Sequence, residues 1–246
     1  MKKLIIANWK MQLGLKESLE LARKAAKKIN GSSVEAIICP DYSALPFVGP
    51  ILKSSKLSLG AQDSAPAEYG ALTGEVSPRN LRALGVKYVI LGHSERREHL
   101  HENSALIGLK IKAALNSQLI PVLCVGEKLT EKNNGETKEY LSGELRRALK
   151  GVKIKSAADL VIAYEPIWAI STNKNAKPII PEEAAEILAF IKTQTAKILK
   201  KEVRVLYGGS VNAKNAEKFL QLKDNDGLLV GGASLQAEEL SKICQL

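Results

Sequence analysis

Eight short apolar runs recur along this chain of 246 residues, and segments with helical periodicity lie between most of them. A run of four to six mostly apolar residues has the length and content of a buried strand. Units of about 31 residues, each a strand followed by a helix, match a closed (β/α)8 barrel of ~250 residues. The runs cover residues 3–7, 36–39, 57–61, 88–92, 120–125, 160–164, 203–207 and 227–230.

Three of the segments between the runs have an apolar face at helical spacing, and Pro181 suits the first turn of one of them. The predicted faces contain Leu19, Ala22, Ala26 and Ile29 in residues 16–29, Leu106, Leu109, Ala113 and Ala114 in residues 103–115, and Ala184, Ile187, Leu188, Ile191 and Ile198 in residues 181–200. No Gly/Ser linker divides the chain, so we predict a single domain over residues 1–246. A doubly wound open sheet is the rival fold, but no G-x-G-x-x-G follows the first run.

Composition indicates which partners and which cellular compartment to expect. The formal charge is +10, but the lysines are spread along helical segments and aromatic residues make up 4% of the chain. This distribution favours a solvated lysine-rich surface over nucleic-acid binding, and the positive field would attract a small anionic substrate. The apolar stretch of residues 4–7 is shorter than a secretory core region, and no run approaches the length of a membrane span. We therefore expect a cytoplasmic protein without nucleic-acid or membrane partners.

The three cysteines are far apart in the sequence. Cys39 and Cys124 lie in apolar runs, and Cys244 lies near the C-terminus. An odd number at such spacing does not fit a disulfide framework or a zinc site. We expect buried free thiols and no metal.

Polar and glycine residues follow directly after the predicted strands. In a (β/α)8 barrel, the active site lies at this carboxyl end of the strands. The residues at these positions are Asn8, Trp9 and Lys10 after the first run, His93, Ser94, Glu95 and Arg96 after the fourth, Gly126 and Glu127 after the fifth, Glu165 after the sixth, Gly208, Gly209 and Ser210 after the seventh, and Gly231, Gly232 and Ala233 after the eighth.

Residues 163–168 read Ala-Tyr-Glu-Pro-Ile-Trp and place one carboxylate, Glu165, at the end of a predicted buried strand. Pro166 fixes its own φ and keeps Glu165 out of the α region. A carboxylate held in this way could abstract a proton from carbon, and a dry neighbourhood would raise its pKa toward the working pH. The motif by itself fits equally well a surface carboxylate in the first turn of a helix.

The glycines after the last two strands indicate a phosphate site. Glycine allows backbone N–H groups to approach an anion closely, and a following helix adds a favourable dipole. The loops after strands seven and eight form a recurrent phosphate site in this fold. Either glycine pair taken alone would indicate no more than a tight turn.

Three further residues could stabilise a developing negative charge. His93 could donate to a carbonyl oxygen, and a helix starting at Ser94 would keep its imidazole neutral. Lys10 could supply a positive charge at the same oxygen, with Asn8 beside it. Each has an ordinary structural alternative: His93 as a core histidine, Lys10 as a partner of Glu95, and Asn8 as a turn residue.

A phosphate site, one carboxylate base and a neutral electrophile, without a metal or dinucleotide motif, indicate proton transfer next to a carbonyl group. An aldose–ketose isomerase that acts on a small phosphorylated sugar through an enediolate fits this set. Two alternatives are another phosphate-binding barrel enzyme, typically with an aspartate base, and a binding protein that kept the barrel. A binding protein would be expected to have lost the base or the electrophile.

Motifs along the whole chain, in order, resemble those of the triosephosphate isomerase family. The resemblance implies a TIM barrel and the interconversion of dihydroxyacetone phosphate and D-glyceraldehyde 3-phosphate, in glycolysis and gluconeogenesis, without a cofactor. The motifs around His93 and Glu165 are the most specific. The matching segments are residues 7–11 (ANWKM), 60–62 (GAQ), 73–75 (TGE), 91–97 (LGHSERR), 124–127 (CVGE), 163–170 (AYEPIWAI), 207–211 (YGGSV) and 229–235 (LVGGASL).

The resemblance also implies roles for single residues. Glu165 would be the base and His93 the neutral electrophile, a pairing already described for enzymes of this family. Asn8 and Lys10 would contact the substrate. Glu95 would hold Lys10 in place without touching the substrate itself.

By the same resemblance, the phosphate would lie against the backbone at Ser171, Ser210, Gly231 and Gly232. Members of the family are usually homodimers in which the third loop of one subunit enters its neighbour. Residues 65–75 would be that loop in this chain. Thr73 would reach the other active site, and Glu75 would pair with Arg96 across the interface.

The sequence departs from the family pattern in the lid that follows Trp168. The family usually reads Ala-Ile-Gly-Thr-Gly-Lys, whereas Ser171 and Asn173 replace the two glycines here. If the first glycine needs a positive φ, a serine at position 171 would add backbone strain of about 1 kcal/mol. We therefore hypothesise an active enzyme with altered lid dynamics.

Overall fold

The computed structural model of the protein describes residues 2–29, 32–169 and 179–246. Eight parallel strands follow one another around a closed barrel in sequence order, and β1 completes the closure by pairing with β8. The predicted (β/α)8 barrel is therefore confirmed. The strands are Leu4–Asn8 (β1), Glu35–Cys39 (β2), Leu57–Ala61 (β3), Val86–Leu91 (β4), Ile120–Val125 (β5), Val161–Tyr164 (β6), Arg204–Tyr207 (β7) and Gly227–Val230 (β8).

Helices separate the strands and cover the outside of the barrel. The α-helices are Leu15–Lys28 (α1), Leu45–Leu52 (α2), Pro78–Ala83 (α3), Ser94–His99 (α4), Ser104–Asn116 (α5), Leu129–Asn133 (α6), Thr137–Ala148 (α7), Pro181–Leu199 (α8), Ala216–Leu220 (α9) and Ala237–Cys244 (α10). Short 3-10 helices lie at Tyr42–Ala44, Ala157–Asp159, Ile167–Ala169 and Gly232–Leu235.

Two apolar cores result from this arrangement. One fills the barrel interior with side chains that point inward from alternate strand positions, and the other lies between the barrel and its helices. The interior core contains Leu4, Ile6, Ile37, Cys39, Tyr88, Ile90, Val122, Cys124, Val161, Ala163, Leu206 and Leu229. Because the interior is packed, ligands can enter only at the ends of the barrel.

The predicted apolar face of α5 is wrong at one position. Leu109 is 52% exposed, whereas Ala113 and Ala114 are buried as predicted, and Ile107 and Ile111 complete the buried face. The close approach of α7 decides this rotation, because a side chain at Gly108 would collide with the carbonyl oxygen of Ala148. Sequence periodicity could not detect this contact, since the two helices are far apart along the chain.

All three cysteines are free and buried, as the sequence predicted. Burial raises the pKa of the Cys39 thiol well above its usual value and raises the pKa of Cys244 to about 12. Within the described ranges, no helix is both long and apolar enough to cross a membrane.

Candidate active site

The carboxyl ends of the strands surround a cavity of about 510 Å³. The side chains and backbone that line it come from the loops after β1, β4, β6, β7 and β8, which are the positions at which the sequence predicted functional residues. The lining includes Asn8, Lys10, His93, Glu165, Ser210, Gly231 and Gly232. The closed barrel brings these residues together, although the first and last are more than 220 positions apart.

Glu165 lies at the base of this cavity, immediately after β6, and is 3% exposed. Its backbone N–H donates to the Val125 carbonyl at 2.8 Å, which extends the β5–β6 pairing by one residue. The alternative of an exposed carboxylate in the first turn of a helix is therefore wrong.

His93 follows β4 and caps α4, which begins at Ser94 as predicted. The Glu95 backbone N–H donates to His93 Nδ1 at 3.3 Å, and His93 Nε2 lies 3.1 Å from Glu165 Oε1. Nδ1 can accept this bond only while it is unprotonated, so Nε2 carries the proton and points at Glu165.

The pKa values of Glu165 and His93 depend on each other. Burial raises the pKa of Glu165, but the contact with His93 outweighs burial, so this pKa lies below its usual value. Burial lowers the pKa of His93, and the Glu165 carboxylate outweighs this effect and raises it. This direction is opposite to the expected effect of the helix at Ser94, which was predicted to keep the imidazole neutral. Burial therefore acts on the pKa of Glu165 in the expected direction, but the expected net rise toward the working pH is wrong for this arrangement. The direct histidine contact, which the sequence could not reveal, reverses the direction.

Lys10 reaches the same cavity from the loop after β1. Its Nζ lies 2.6 Å from Glu95 Oε1, and its backbone N–H donates to Asn8 Oδ1 at 3.1 Å. The backbone of Lys10 has φ = 54°, a left-handed conformation that non-glycine residues rarely adopt. Gln62 Nε2 donates to the Lys10 carbonyl at 2.8 Å and holds this loop in place. Lys10 thus both pairs with Glu95 and lines the cavity.

The glycine loops after β7 and β8 form the other side of the cavity. Gly231 faces Lys10, whose Nζ lies 3.9 Å from the place where a Cβ of residue 231 would be. At Gly208 a Cβ would lie 2.9 Å from Cγ of Glu165. Ser210 Oγ donates to the Ala169 carbonyl at 2.6 Å. These loops therefore leave exposed backbone beside the base and the lysine.

Some predicted residues lie elsewhere. Thr73 and Glu75 are exposed in the loop after β3, and Arg96 pairs within its own chain with Asp63 and Glu102 at 2.8 and 2.7 Å. Ser171 and Asn173 lie outside the described residues.

Sequence reasoning missed roles for two residues near the site. Glu127 accepts from Tyr164 Oη at 3.1 Å and Trp168 Nε1 at 2.8 Å, and so connects the loop after β5 to the segment after Glu165. Cys124 also lowers the pKa of the Glu165 carboxylate. The position of Glu127 directly after a predicted strand was a signal for it, whereas nothing near Cys124 in the sequence points to Glu165.

Comparison with known proteins identifies the family. The family model described as triosephosphate isomerase matches residues 3–246. The triosephosphate isomerase of Clostridium tetani strain Massachusetts / E88 is 41% identical in an alignment that covers 98% of this chain and 95% of the relative. That of Caldanaerobacter subterraneus subsp. tengcongensis is 40% identical, covering 98% and 97%. The crystal structure of triosephosphate isomerase from Bartonella henselae superimposes with a TM-score of 0.89 at 35% identity, covering 99% and 98%.

The chain belongs to the triosephosphate isomerase family. It is therefore an isomerase that interconverts dihydroxyacetone phosphate and D-glyceraldehyde 3-phosphate, a step of glycolysis. The predictions of an enzyme and of this reaction are confirmed. In the part of the chain that the structure describes, no group of three or more His, Cys, Asp or Glu residues is placed to hold a metal ion.

Proposed function

We propose that Glu165 is the base that moves a proton between the two adjacent carbons of the triose phosphate. The observation that carries this proposal is its burial at the base of the cavity, 3.1 Å from His93 Nε2. The contact with His93 lowers the pKa of Glu165 in the free protein; substrate between the two groups would replace this contact, and burial would then raise the pKa and strengthen the base. With substrate bound between the two groups, the carboxylate would take a proton from one carbon and return it to the next.

His93 and Lys10 stabilise the enediolate that forms between these proton transfers. The Nε2–H of His93 donates to the carbonyl oxygen as negative charge develops on it, since Nδ1 already accepts from the Glu95 backbone. Lys10 adds a fixed positive charge, Asn8 orients the loop that carries it, and Glu95 holds its Nζ at the cavity.

The phosphate group binds against the backbone at Ser210, Gly231 and Gly232, together with Ser171. The support for this placement is the absence of side chains at both glycines and the position of Lys10 across from Gly231. Backbone N–H groups and a nearby ammonium are suitable partners for a dianion. The reaction as proposed uses no cofactor and no metal.

We also propose that residues 1–246 act as one domain within a homodimer. The first strand pairs with the last, so the two ends of the chain share one barrel. Large exposed apolar side chains follow β1, β2 and β3, for example Met11, Phe47 and Tyr69. Residues 65–75 would enter the partner, where Thr73 contacts its active site. Glu75 would join Arg96 of the partner in addition to the pairs that Arg96 makes within its own chain.

We further propose that the protein is cytoplasmic. All three cysteines are free and buried, which suits a reducing compartment.

The test is the isomerisation rate with D-glyceraldehyde 3-phosphate, measured for the purified protein and for Glu165→Gln prepared in parallel. We expect a high rate that falls by several orders of magnitude in the variant. The variant keeps the shape of Glu165, so its fold can be verified by circular dichroism. Equal rates in both proteins would contradict the role of Glu165.

A further inference from the structure

The guanidinium group of Arg97 donates hydrogen bonds to the carboxyl ends of two neighbouring strands. Arg97 Nε donates to the Gly92 carbonyl at 2.7 Å, and Nη2 donates to the Cys124 carbonyl at 2.9 Å. Gly92 directly follows β4, and Cys124 belongs to β5. The planar fork of an arginine can span two such acceptors in a fixed geometry. Arg97 therefore sets the relative position of these two strand ends.

Glu144 of α7 holds the same region from the outside. Its Oε1 lies 2.9 Å from Arg97 Nη1, and its Oε2 accepts from the Gly126 backbone N–H at 3.1 Å. The side chain of Arg97 is 13% exposed and that of Glu144 is 3% exposed. One carboxylate thus braces both the guanidinium and the residue that follows β5.

Both strand ends lead directly to the proposed reacting groups. His93 is the residue after Gly92, whose φ of 70° permits the turn into the cavity. Gly126 packs against the backbone of Glu165 so closely that a Cβ would overlap the Glu165 carbonyl oxygen. The Glu165 N–H also donates to Val125 at 2.8 Å. A displacement of the Arg97–Glu144 pair would therefore move His93 and Glu165 relative to each other.

We infer that Arg97, braced by Glu144, is a positioning residue that sets the separation of His93 and Glu165 while leaving the phosphate site untouched. This inference rests on the roles proposed above for His93 and Glu165. The proposed phosphate site lies after β7 and β8, whereas among the described residues Arg97 and Glu144 contact β4, β5 and the segments that follow them. The positioning pair should therefore affect the chemical step more than substrate binding.

Arg97→Lys tests the inference, because lysine keeps the charge but lacks the planar fork that holds the two carbonyl groups and Glu144 in a fixed geometry. We expect kcat to fall by about 10- to 100-fold, since a displacement of about 1 Å at reacting groups has effects of this size. KM and the inhibition constant of inorganic phosphate should stay close to their original values. A purely structural role would lower the amount of folded enzyme without separating kcat from KM in this way.

Arg204→Lys is the matched control. Arg204 is 12% exposed and pairs with Glu35 at 2.9 Å, so its burial and ion pair resemble those of Arg97. It lies at the opposite end of the barrel, at the start of β7. We expect this control to lower stability while kcat of the folded enzyme stays unchanged. An equal fall in kcat in Arg97→Lys and Arg204→Lys would overturn the inference.

Glu144→Gln is a second variant in case Arg97→Lys does not fold. The two contacts use different oxygens of Glu144, and in glutamine an NH2 group, which donates, replaces one of these oxygens, so one of the two contacts is lost. We expect a smaller fall in kcat, again with the phosphate inhibition constant preserved. An unchanged kcat in this folded variant would overturn the inference. Glu165→Gln, assayed alongside, distinguishes a failure of the proposed base from a failure of the proposed positioning role. If Glu165→Gln stays active, the proposed base is wrong. If Glu165→Gln is inactive while Arg97→Lys is fully active, only the positioning role of Arg97 is wrong.

Discussion

At the scale of single residues, Lys10 shows how the site combines backbone strain with a functional charge. A lysine at φ = 54° is less stable there than glycine would be, because its Cβ approaches the backbone. The side chain nevertheless lines the cavity and pairs with Glu95 at 2.6 Å. The conformation directs the ammonium into the cavity, so we attribute the strain to the role proposed for Lys10.

Replacing Lys10 should separate stability from activity. Lys10→Gly and Lys10→Ala both remove the ammonium, and we expect kcat/KM to fall by about 100- to 1000-fold in each. Lys10→Gly should be more stable than Lys10→Ala by about 1 kcal/mol, because only glycine relieves the left-handed strain. Denaturant unfolding and steady-state kinetics measure the two effects. If the glycine variant were the less stable of the pair, the strain would not exist.

At the scale of elements, ion pairs connect strands at the amino end of the barrel, away from the cavity. Glu35 of β2 meets Lys87 Nζ at 2.7 Å, Tyr88 Oη at 2.8 Å and Arg204 at 2.9 Å, and these partners lie in β4 and β7. Burial raises the pKa of Glu35, but the bonds from Lys87, Arg204 and Tyr88 outweigh burial and lower this pKa to about 2. One carboxylate therefore joins three strands of the barrel.

The lowered pKa of Glu35 predicts a loss of stability in acid. The folded protein binds this proton less readily than the unfolded chain, so the stabilisation is present above about pH 4.5 and is lost as the pH falls toward 2. The loss should be at most about 3 kcal/mol from this residue. Glu35→Gln should be less stable at pH 7 and show a shallower decline between pH 4.5 and 2. Parallel acid-unfolding curves for the two proteins would contradict this assignment.

The contact between α5 and α7 makes a second prediction at this scale. In Gly108→Ala, the new Cβ would lie 2.8 Å from the Ala148 carbonyl oxygen, which belongs to the backbone and cannot easily move. We expect a net destabilisation of about 1–3 kcal/mol, despite the better helix propensity of alanine. Gly143→Ala on α7 is the control, because its Cβ would meet only the flexible end of Arg147.

Gly143→Ala should instead stabilise the protein by roughly 0.5–1 kcal/mol through helix propensity alone. Thermal and urea unfolding of both variants measure the difference. Equal shifts in both would mean that α5 and α7 can separate without cost.

At the scale of the whole molecule, several large exposed apolar side chains follow three consecutive strands, although others, such as Leu100 and Ile180, lie elsewhere. Met11 is 89% exposed, Phe47 is 53%, Tyr69 is 77% and Leu72 is 44%, in the loops or helix that follow β1, β2 and β3. These strands are neighbours in the barrel. An exposed apolar region of this kind is typical of a surface that another protein covers. It supports the proposed dimer.

The double variant Tyr69→Ser, Leu72→Ser should weaken the proposed dimer. Both side chains belong to the loop of residues 65–75 and contribute little to the core of their own subunit, so the barrel should remain folded. We expect the original protein to sediment as a dimer and the variant as a monomer with reduced activity. Leu129→Ser, at a 50% exposed leucine on α6, is the control and should remain dimeric. A monomeric original protein, or a dimeric double variant, would contradict the proposal.

Local sequence patterns determined the architecture and the positions of the proposed reacting groups. β3, β5 and β8 have the predicted limits, and β4 begins only two residues earlier, at Val86. These patterns sufficed because strand hydrophobicity and strand-end residues depend on near neighbours along the chain. The resemblance of whole motifs supplied the family, which the comparisons confirmed.

The tertiary structure alone decided which polar residues are buried, the direction of their pKa shifts and the contacts between distant segments. The sequence predicted a solvated lysine-rich surface, yet Lys110 is 1% exposed and pairs with Asp63 at 2.6 Å, 47 residues away. The pKa of Glu165 falls rather than rises because the fold places His93 3.1 Å from it, and Arg97 reaches Cys124 for the same reason. Burial and electrostatic interactions depend on distance in space, which the closure of the barrel sets and no local pattern encodes.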